Sequence, residues 1–178
     1  WGGSDNLIGG SVAGAGNVIA GNRRFGIVVY LGAQRTRIQG NWFGTDPSGT
    51  QALGNSGPGV AIADADNSIV GGTAPGEANT IAFNGGPGVQ IGPGTNNAAR
   101  ANSIYLNGAL GIDLDSDGVT HNDAGDVDTG GNRRQNHPLL TFVGNDTSTS
   151  LQVTLTSTPD TTFKLDFFAS DSADASGY

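Results

Sequence analysis

The feature that most constrains this chain is an internal repeat. One unit reads Asn-x-Ile-x-x-Asn and occurs at Asn17–Asn22, Asn79–Asn84 and Asn102–Asn107, with Thr36–Asn41 as a variant carrying Thr in the first place. A second unit, Gly-[Ile/Val]-x-[Ile/Val/Leu], begins at Gly26, Gly59, Gly88 and Gly111. The two are in phase: Asn22, Asn55, Asn84 and Asn107 each stand four positions before the next such Gly. Those glycines are 33, 29 and 23 residues apart, a period that points to structural units stacked on one another. Each apolar cluster is short and alternates with period two, which specifies a strand and not a helix. Strands one period apart can then pair in parallel at a spacing of about 4.8 Å. Their inward Ile and Val side chains would form a continuous column. Asn at a fixed corner can stack into hydrogen-bonded ladders, and Gly supplies corner conformations closed to other residues.

Composition narrows the fold class in the same direction. Gly contributes 31 of 178 residues, and 29 of them lie at or before Gly131. Glu77 and Lys164 are the only Glu and Lys, so the usual solvent face of a soluble helix is missing. This excludes a helical bundle and leaves an all-β chain. Gly does not recur every third residue, so the chain is not collagen. The regular Ile, Val and Leu clusters oppose disorder.

The pattern resembles the right-handed parallel β-helix of the pectate-lyase-like superfamily. It looks more closely like the β-helix repeat segments of large exported bacterial proteins. The resemblance covers about residues 4–138. It implies the handedness of the coil, and a secreted or cell-surface location in a bacterium. Its members include lyases, hydrolases, adhesins and plain spacers. The expected organisation is a β-helix over residues 1–138 with an Asp-rich closing loop, then a C-terminal β-hairpin extension over 139–178.

In that extension, Leu139–Val143, Leu151–Thr156 and Thr162–Phe168 read as β segments. Thr158-Pro159-Asp160-Thr161 is a turn joining the last two into a hairpin with one apolar side. The hairpin either caps the open end of the coil or begins a second β domain, and Ser176-Gly177-Tyr178 reads as an interruption. An uncapped coil end or an exposed hairpin edge would favour self-association.

Charge and residue types bound the partners. The net charge is −8, which disfavours nucleic acid. No apolar stretch is long enough for a membrane span. The absence of Cys removes disulfides, thiolate metal sites and a Cys nucleophile. Residues 113–128 hold six Asp and no Lys or Arg, so −6 of the −8 sits in one window. Asp113, Asp115, Asp117 and Gly118 match the opening of a calcium loop, but its closing Glu position is Ala124. A second ligand set is Asp117, Asn122, Asp123, Asp126 and Asp128. These hard oxygen donors suit a structural Ca²⁺; the other reading is a metal-free loop neutralised by Arg and backbone N–H groups. In its strand, Asp113 should point outward, opposite to Ile112 and Leu114.

Two function classes follow. One is a non-catalytic scaffold or carbohydrate-contacting surface of an exported protein. The other is a lyase or hydrolase acting on an acidic glycan, for which Arg133, Arg134 and His121 are the candidate catalytic residues beside the Asp cluster. The largest insertion, Trp42–Gly54, should protrude as a loop. Trp42 and Phe43 within it are candidates for a sugar-stacking platform; the alternative is that they tuck the loop onto the body.

Overall fold

The computed structural model describes residues 3–145 and 148–168. Four successive segments, here called tiers, each supply one short strand to each of three parallel sheets. Tier 1 contains β1 (Leu7–Gly9), β2 (Val18–Ile19) and β3 (Ile27–Val29). After β4 (Ala33–Gln34), tier 2 contains β5 (Arg37–Gln39), β6 (Trp42–Phe43) and β7 (Val60–Ile62). After β8 (Ala65–Asp66), tier 3 contains β9 (Ile69–Gly71), β10 (Thr80–Ala82) and β11 (Val89–Ile91). Tier 4 contains β12 (Ala98–Arg100), β13 (Ser103–Tyr105) and β14 (Ile112–Leu114). The sheet orders are β1-β5-β9-β12, β2-β6-β10-β13 and β3-β7-β11-β14, with β4 beside β8 at a corner. The chain is therefore all-β, with parallel sheets stacked in register, an arrangement compatible with a β-helix.

Register turns the sequence repeat into packing. Ile8, Ile38, Val70 and Ala99 align as one inward column. Ile19, Phe43, Ile81 and Ile104 form the second. Ile27, Val60, Val89 and Ile112 form the third, with Val29, Ile62, Ile91 and Leu114 beside it. The middle members are sealed: Ile38, Phe43, Val60, Ile62, Val70, Ile81 and Val89 are fully buried. At the ends the columns open, and Ile112 is 46% exposed. Most of the hydrophobic stabilisation is thus lodged in tiers 2 and 3.

The asparagines form continuous ladders. Asn17 Nδ2 donates to Asn41 Oδ1 at 2.9 Å, Asn41 Nδ2 to Asn79 Oδ1 at 3.0 Å, and Asn79 Nδ2 to Asn102 Oδ1 at 2.9 Å. A second ladder runs Asn22, Asn55, Asn84 and Asn107 with spacings of 2.7, 2.8 and 2.9 Å. In both ladders the backbone N–H of the donor residue binds the same Oδ1. Buried amides are thereby satisfied without water.

Gly71 shows why the corners need glycine. Its φ is +87°, and a Cβ there would lie 2.1 Å from the Arg100 carbonyl oxygen of the next tier. Both the conformation and the close approach exclude a side chain.

Two expectations are corrected. Trp42 and Phe43 do not belong to a protruding loop; they are strand β6, paired with β2 and β10. Only the residues after them leave the sheet, and they turn back at an antiparallel bridge between Thr45 and Ala52. Asp46 organises that loop by accepting from the Ser48 hydroxyl at 2.7 Å and from the Gln51 and Thr50 N–H groups at 3.1 Å, and the Ser48 bond above all, then the backbone donors, holds its pKa down at about 2. Tyr105 of tier 4 pins the loop through a 2.6 Å hydrogen bond to the Gly49 carbonyl.

The second correction concerns the C-terminal pairing. β15 (Leu139–Asn145) pairs antiparallel with β16 (Ser148–Thr154), whereas residues 161–168 form no strand. The reason is a competing anchor. Asp166 binds Arg100 through two contacts of 2.6 and 2.7 Å and accepts the Ala101 N–H at 3.2 Å. This ties the segment to the end of β12, where it cannot turn back on β16. The expected interruption at Ser176–Tyr178 lies outside the described residues.

Candidate functional site

The acidic segment leaves β14 and folds back against tier 4. Register places Asp113 on the outward side, in line with Gln90 and Ala61. It is nevertheless only 5% exposed, because the following turn covers it. The Gly118 and Ser116 N–H groups bind its carboxylate, yet burial is the largest influence and pushes its pKa up. Its Oδ1 has no hydrogen-bond partner.

The neighbouring carboxylates are neutralised by the chain itself. Arg134 Nε donates to Asp115 Oδ2 and its Nη2 to Asp117 Oδ2, both at 2.8 Å. The Gly131 N–H takes the other Asp115 oxygen at 2.8 Å. Those two carboxylates in turn raise the Arg134 pKa, chiefly through the Asp115 hydrogen bond. Arg134 can fork between them because Asn132, Arg133 and Arg134 all have left-handed backbone conformations.

A second cluster surrounds Asn136, which is 3% exposed. Its Nδ2 donates to the Asp123 and Thr156 carbonyls at 2.8 and 2.7 Å. Its Oδ1 accepts the Asp123 N–H at 3.0 Å, and its own N–H donates to Asp126 Oδ1 at 2.9 Å. The other Asp126 oxygen accepts from Ser157 Oγ at 2.5 Å. Asn122 and His137 exchange a reciprocal pair of 2.8 Å bonds through the His137 backbone. Asp128 makes no side-chain hydrogen bond among the described residues.

Among the described residues, no three His, Asp or Glu side chains come together in a way that could hold a metal ion. Asp115, Asp117 and Asp126 accept hydrogen bonds from Arg134, from the Gly131 and Asn136 N–H groups and from Ser157. The unpartnered oxygens of Asp113, Thr120 and Asp123 mark where the segment is least satisfied.

The candidate catalytic residues do not converge. Arg134 is held by two carboxylates, whereas Arg133 and His121 are exposed and make no ion pair among the described residues. A groove of about 960 Å³ lies at the end of tier 4, lined by Ile104, Tyr105, Leu110, Ile112, His137 and Phe168 among others, and no carboxylate or guanidinium among the described residues lines it. A smaller groove of about 590 Å³ runs over β1, β5 and β9 and mixes apolar Leu7 and Ile69 with charged Asp5, Arg35, Arg37 and Glu77. Arg37 lines it beside the exposed pair of Arg35 and Asp5, which meet at 2.7 and 2.8 Å. Phe43 is fully buried and cannot offer a ring face to a sugar, while Trp42 is half-buried.

The sequence reading places Asn132 and Asn136 in the closing segment without assigning them a contact, and it assigns no role to Asp166. Asn132 carried a usable signal. It stands 35 residues after Asn97, close to the 33 that separate Gly26 from Gly59, and its Oδ1 accepts the Asn97 N–H at 2.9 Å.

The buried Asp113 yields a testable result. A carboxyl whose folded pKa lies above its unfolded value of 3.8 keeps more protons in the folded state, so stability falls as pH rises through that window. Asp113→Asn removes the buried charge, and we expect its melting temperature at pH 7 to rise by about 2–4 °C, the equivalent of roughly 1 kcal/mol. The advantage should vanish in acid below the ordinary carboxylate range. Scanning calorimetry at both pH values reads it.

No helix among the described residues is long and apolar enough to cross a membrane. No protein-family model, curated protein or solved structure matches this chain.

Proposed function

We propose that the chain is a right-handed parallel β-helix segment of an exported or cell-surface bacterial protein. It serves as a rigid scaffold whose flank contacts carbohydrate. Residues 3–138 form the solenoid with its closing loop, and β15 and β16 form an appended β element. The observation that carries this reading is the use of the candidate acid–base groups. Arg134, Asp115, Asp117 and Asp126 are engaged in closing the loop, and no carboxylate among the described residues lines the larger groove. In the smaller groove Asp5 is paired with Arg35, and Glu77 accepts the Ala74 N–H. General acid–base cleavage of a glycan canonically uses a pair of carboxyl groups free to act on the scissile bond, and these carboxylates are held by the chain's own donors. Rigidity follows from the ladders, which leave few buried amides free to rearrange. The smaller groove with Arg35 and Arg37 is the surface suited to hydroxyl and carboxylate groups of a glycan.

The test is incubation with a panel of neutral and acidic polysaccharides, with and without added Ca²⁺. New reducing ends and unsaturated products are measured, together with binding in the same samples. The scaffold reading expects retention of a glycan without depolymerisation, weakened by Arg37→Ala. Depolymerisation that Arg133→Ala or Asp117→Ala abolishes would establish the enzyme instead. The loop closed by Arg134 also expects the same melting temperature with Ca²⁺ and with chelator. An ion bound to the folded state alone would raise it.

A further inference from the structure

The Asn ladders have a direction. Each Oδ1 accepts from the tier before it, and each backbone and side-chain N–H donates to the tier after it. The two ends of the stack are therefore chemically opposite. At the first tier, Asn17 and Asn22 present Oδ1 acceptors that receive no donor among the described residues. At the last tier, Asn102 and Asn107 spend one amide proton each on Val70 and Ile81 carbonyls. Their backbone N–H groups and remaining amide protons meet no acceptor among the described residues.

The spacings of the two ends match. Asn102, Ile104, Asn107 and Ile112 stand at the same intervals as Asn17, Ile19, Asn22 and Ile27. Tier 3 has that spacing too, from Asn79 through Ile81 and Asn84 to Val89, and tier 4 stacks on it directly. Stacking the first tier of another molecule on tier 4 would repeat a junction already present. Charge favours the same pairing. Arg23 and Arg24 are exposed on tier 1, while the Asp-rich segment follows tier 4.

The closing segment stands in the way, with Val119, Thr120, Gln135 and His137 beside the end of tier 4, and two side chains tie the covering segments to β12 and its corner. Asn132 occupies the next position of the third corner column: it accepts from the Asn97 N–H at 2.9 Å and returns its Nδ2 to the Asn97 carbonyl at 2.6 Å. Asp166 closes the other end of β12 by holding Arg100 and the Ala101 N–H. No comparable group covers β1, β2 or β3 among the described residues. We propose that Asn132 and Asp166 are a cap that keeps a second copy of this chain from stacking head to tail, tier 4 on tier 1. This rests on the stacked-tier reading, which the Asn79→Asp melt described below tests independently.

The experiment is analytical ultracentrifugation of the whole chain over a range of concentrations. Wild type is expected to keep the mass of one copy. The double variant Asn132→Ala/Asp166→Ala should gain mass to two copies or more as concentration rises, and more readily at low salt. Ile19 would lie on Ile104 of the second copy, so adding Ile19→Lys should return the double variant to one copy. Asp166→Asn alone keeps shape while losing the charge, and should assemble to a lesser degree. It serves if the double variant does not fold, as judged by circular dichroism. The proposal is overturned if folded cap variants stay at one copy at every concentration. It is equally overturned if wild type assembles as they do, or if Ile19→Lys leaves assembly unchanged.

Discussion

Asn79→Asp is expected to lower stability by at least about 4 kcal/mol and the melting temperature by roughly 10–15 °C at neutral pH. Asn79 is 1% exposed and sits inside the first ladder. Its Nδ2 donates to the Ile38 carbonyl at 2.8 Å and to Asn102 Oδ1 at 2.9 Å, while its Oδ1 accepts from Asn41. An Asp side chain keeps the accepting role and loses both donations. The Ile38 carbonyl and Asn102 Oδ1 then each lose a donor and face a carboxylate oxygen, although Asn102 Oδ1 keeps the Asn79 backbone N–H; each lost donation costs about 1–3 kcal/mol, with the buried charge added. The pH dependence identifies the cause. Burial without donors raises the pKa of the new carboxyl above its unfolded value, so the folded state binds the extra proton. Stability of the variant should therefore recover as pH falls toward the ordinary carboxylate range. Asn17→Asp at the exposed end of the same ladder loses one donation, to Asn41, and should cost only about 1 kcal/mol. Equal losses for the two variants, measured by thermal melts across pH, would show that the ladder is not what holds the tiers.

Sequence alone reached the stacked architecture because that architecture is written in periodicity. Asn17, Asn79 and Asn102 recur in phase with an Ile two positions on, and only stacking satisfies both at once. The closing segment was less legible, because it has no period. Arg134 could be guessed as a counter-charge from its nearness to six Asp, but the choice of Asp115 and Asp117 depends on left-handed backbone at Asn132–Arg134. Alternation sets Asp113 opposite to Ile112 and Leu114, yet Asp113 is buried, by a turn that alternation does not describe. Asp166 was invisible for a different reason. It lies in a segment whose alternating Phe163, Leu165 and Phe167 read as a strand, and a single ion pair with Arg100, 66 residues away, outcompetes that local preference.

Phe43→Ala is expected to cost about 3–5 kcal/mol, and Phe43→Ile no more than about 1.5 kcal/mol. Phe43 is the tier 2 member of the column Ile19, Phe43, Ile81 and Ile104, so Ile is the residue its neighbours carry at that level. The larger ring fits because the facing wall is stripped. A Cβ on Gly26 would come within 3.0 Å of the Phe43 ring and 2.4 Å of the Gly59 carbonyl. Ala at position 43 leaves a cavity that stacked backbones on both sides cannot collapse, since their hydrogen bonds fix the tier spacing. Ile loses less volume and restores the repeat. The melting temperature should fall by about 6–20 °C for Ala and by only a few degrees for Ile. Glycan retention by the folded fraction should be unchanged in both. A surface stacking platform predicts the reverse: melting close to that of wild type, with weakened retention for Ala and Ile alike because both lack the aromatic face. Calorimetry and a retention assay on the same two variants therefore separate a core residue from a sugar contact.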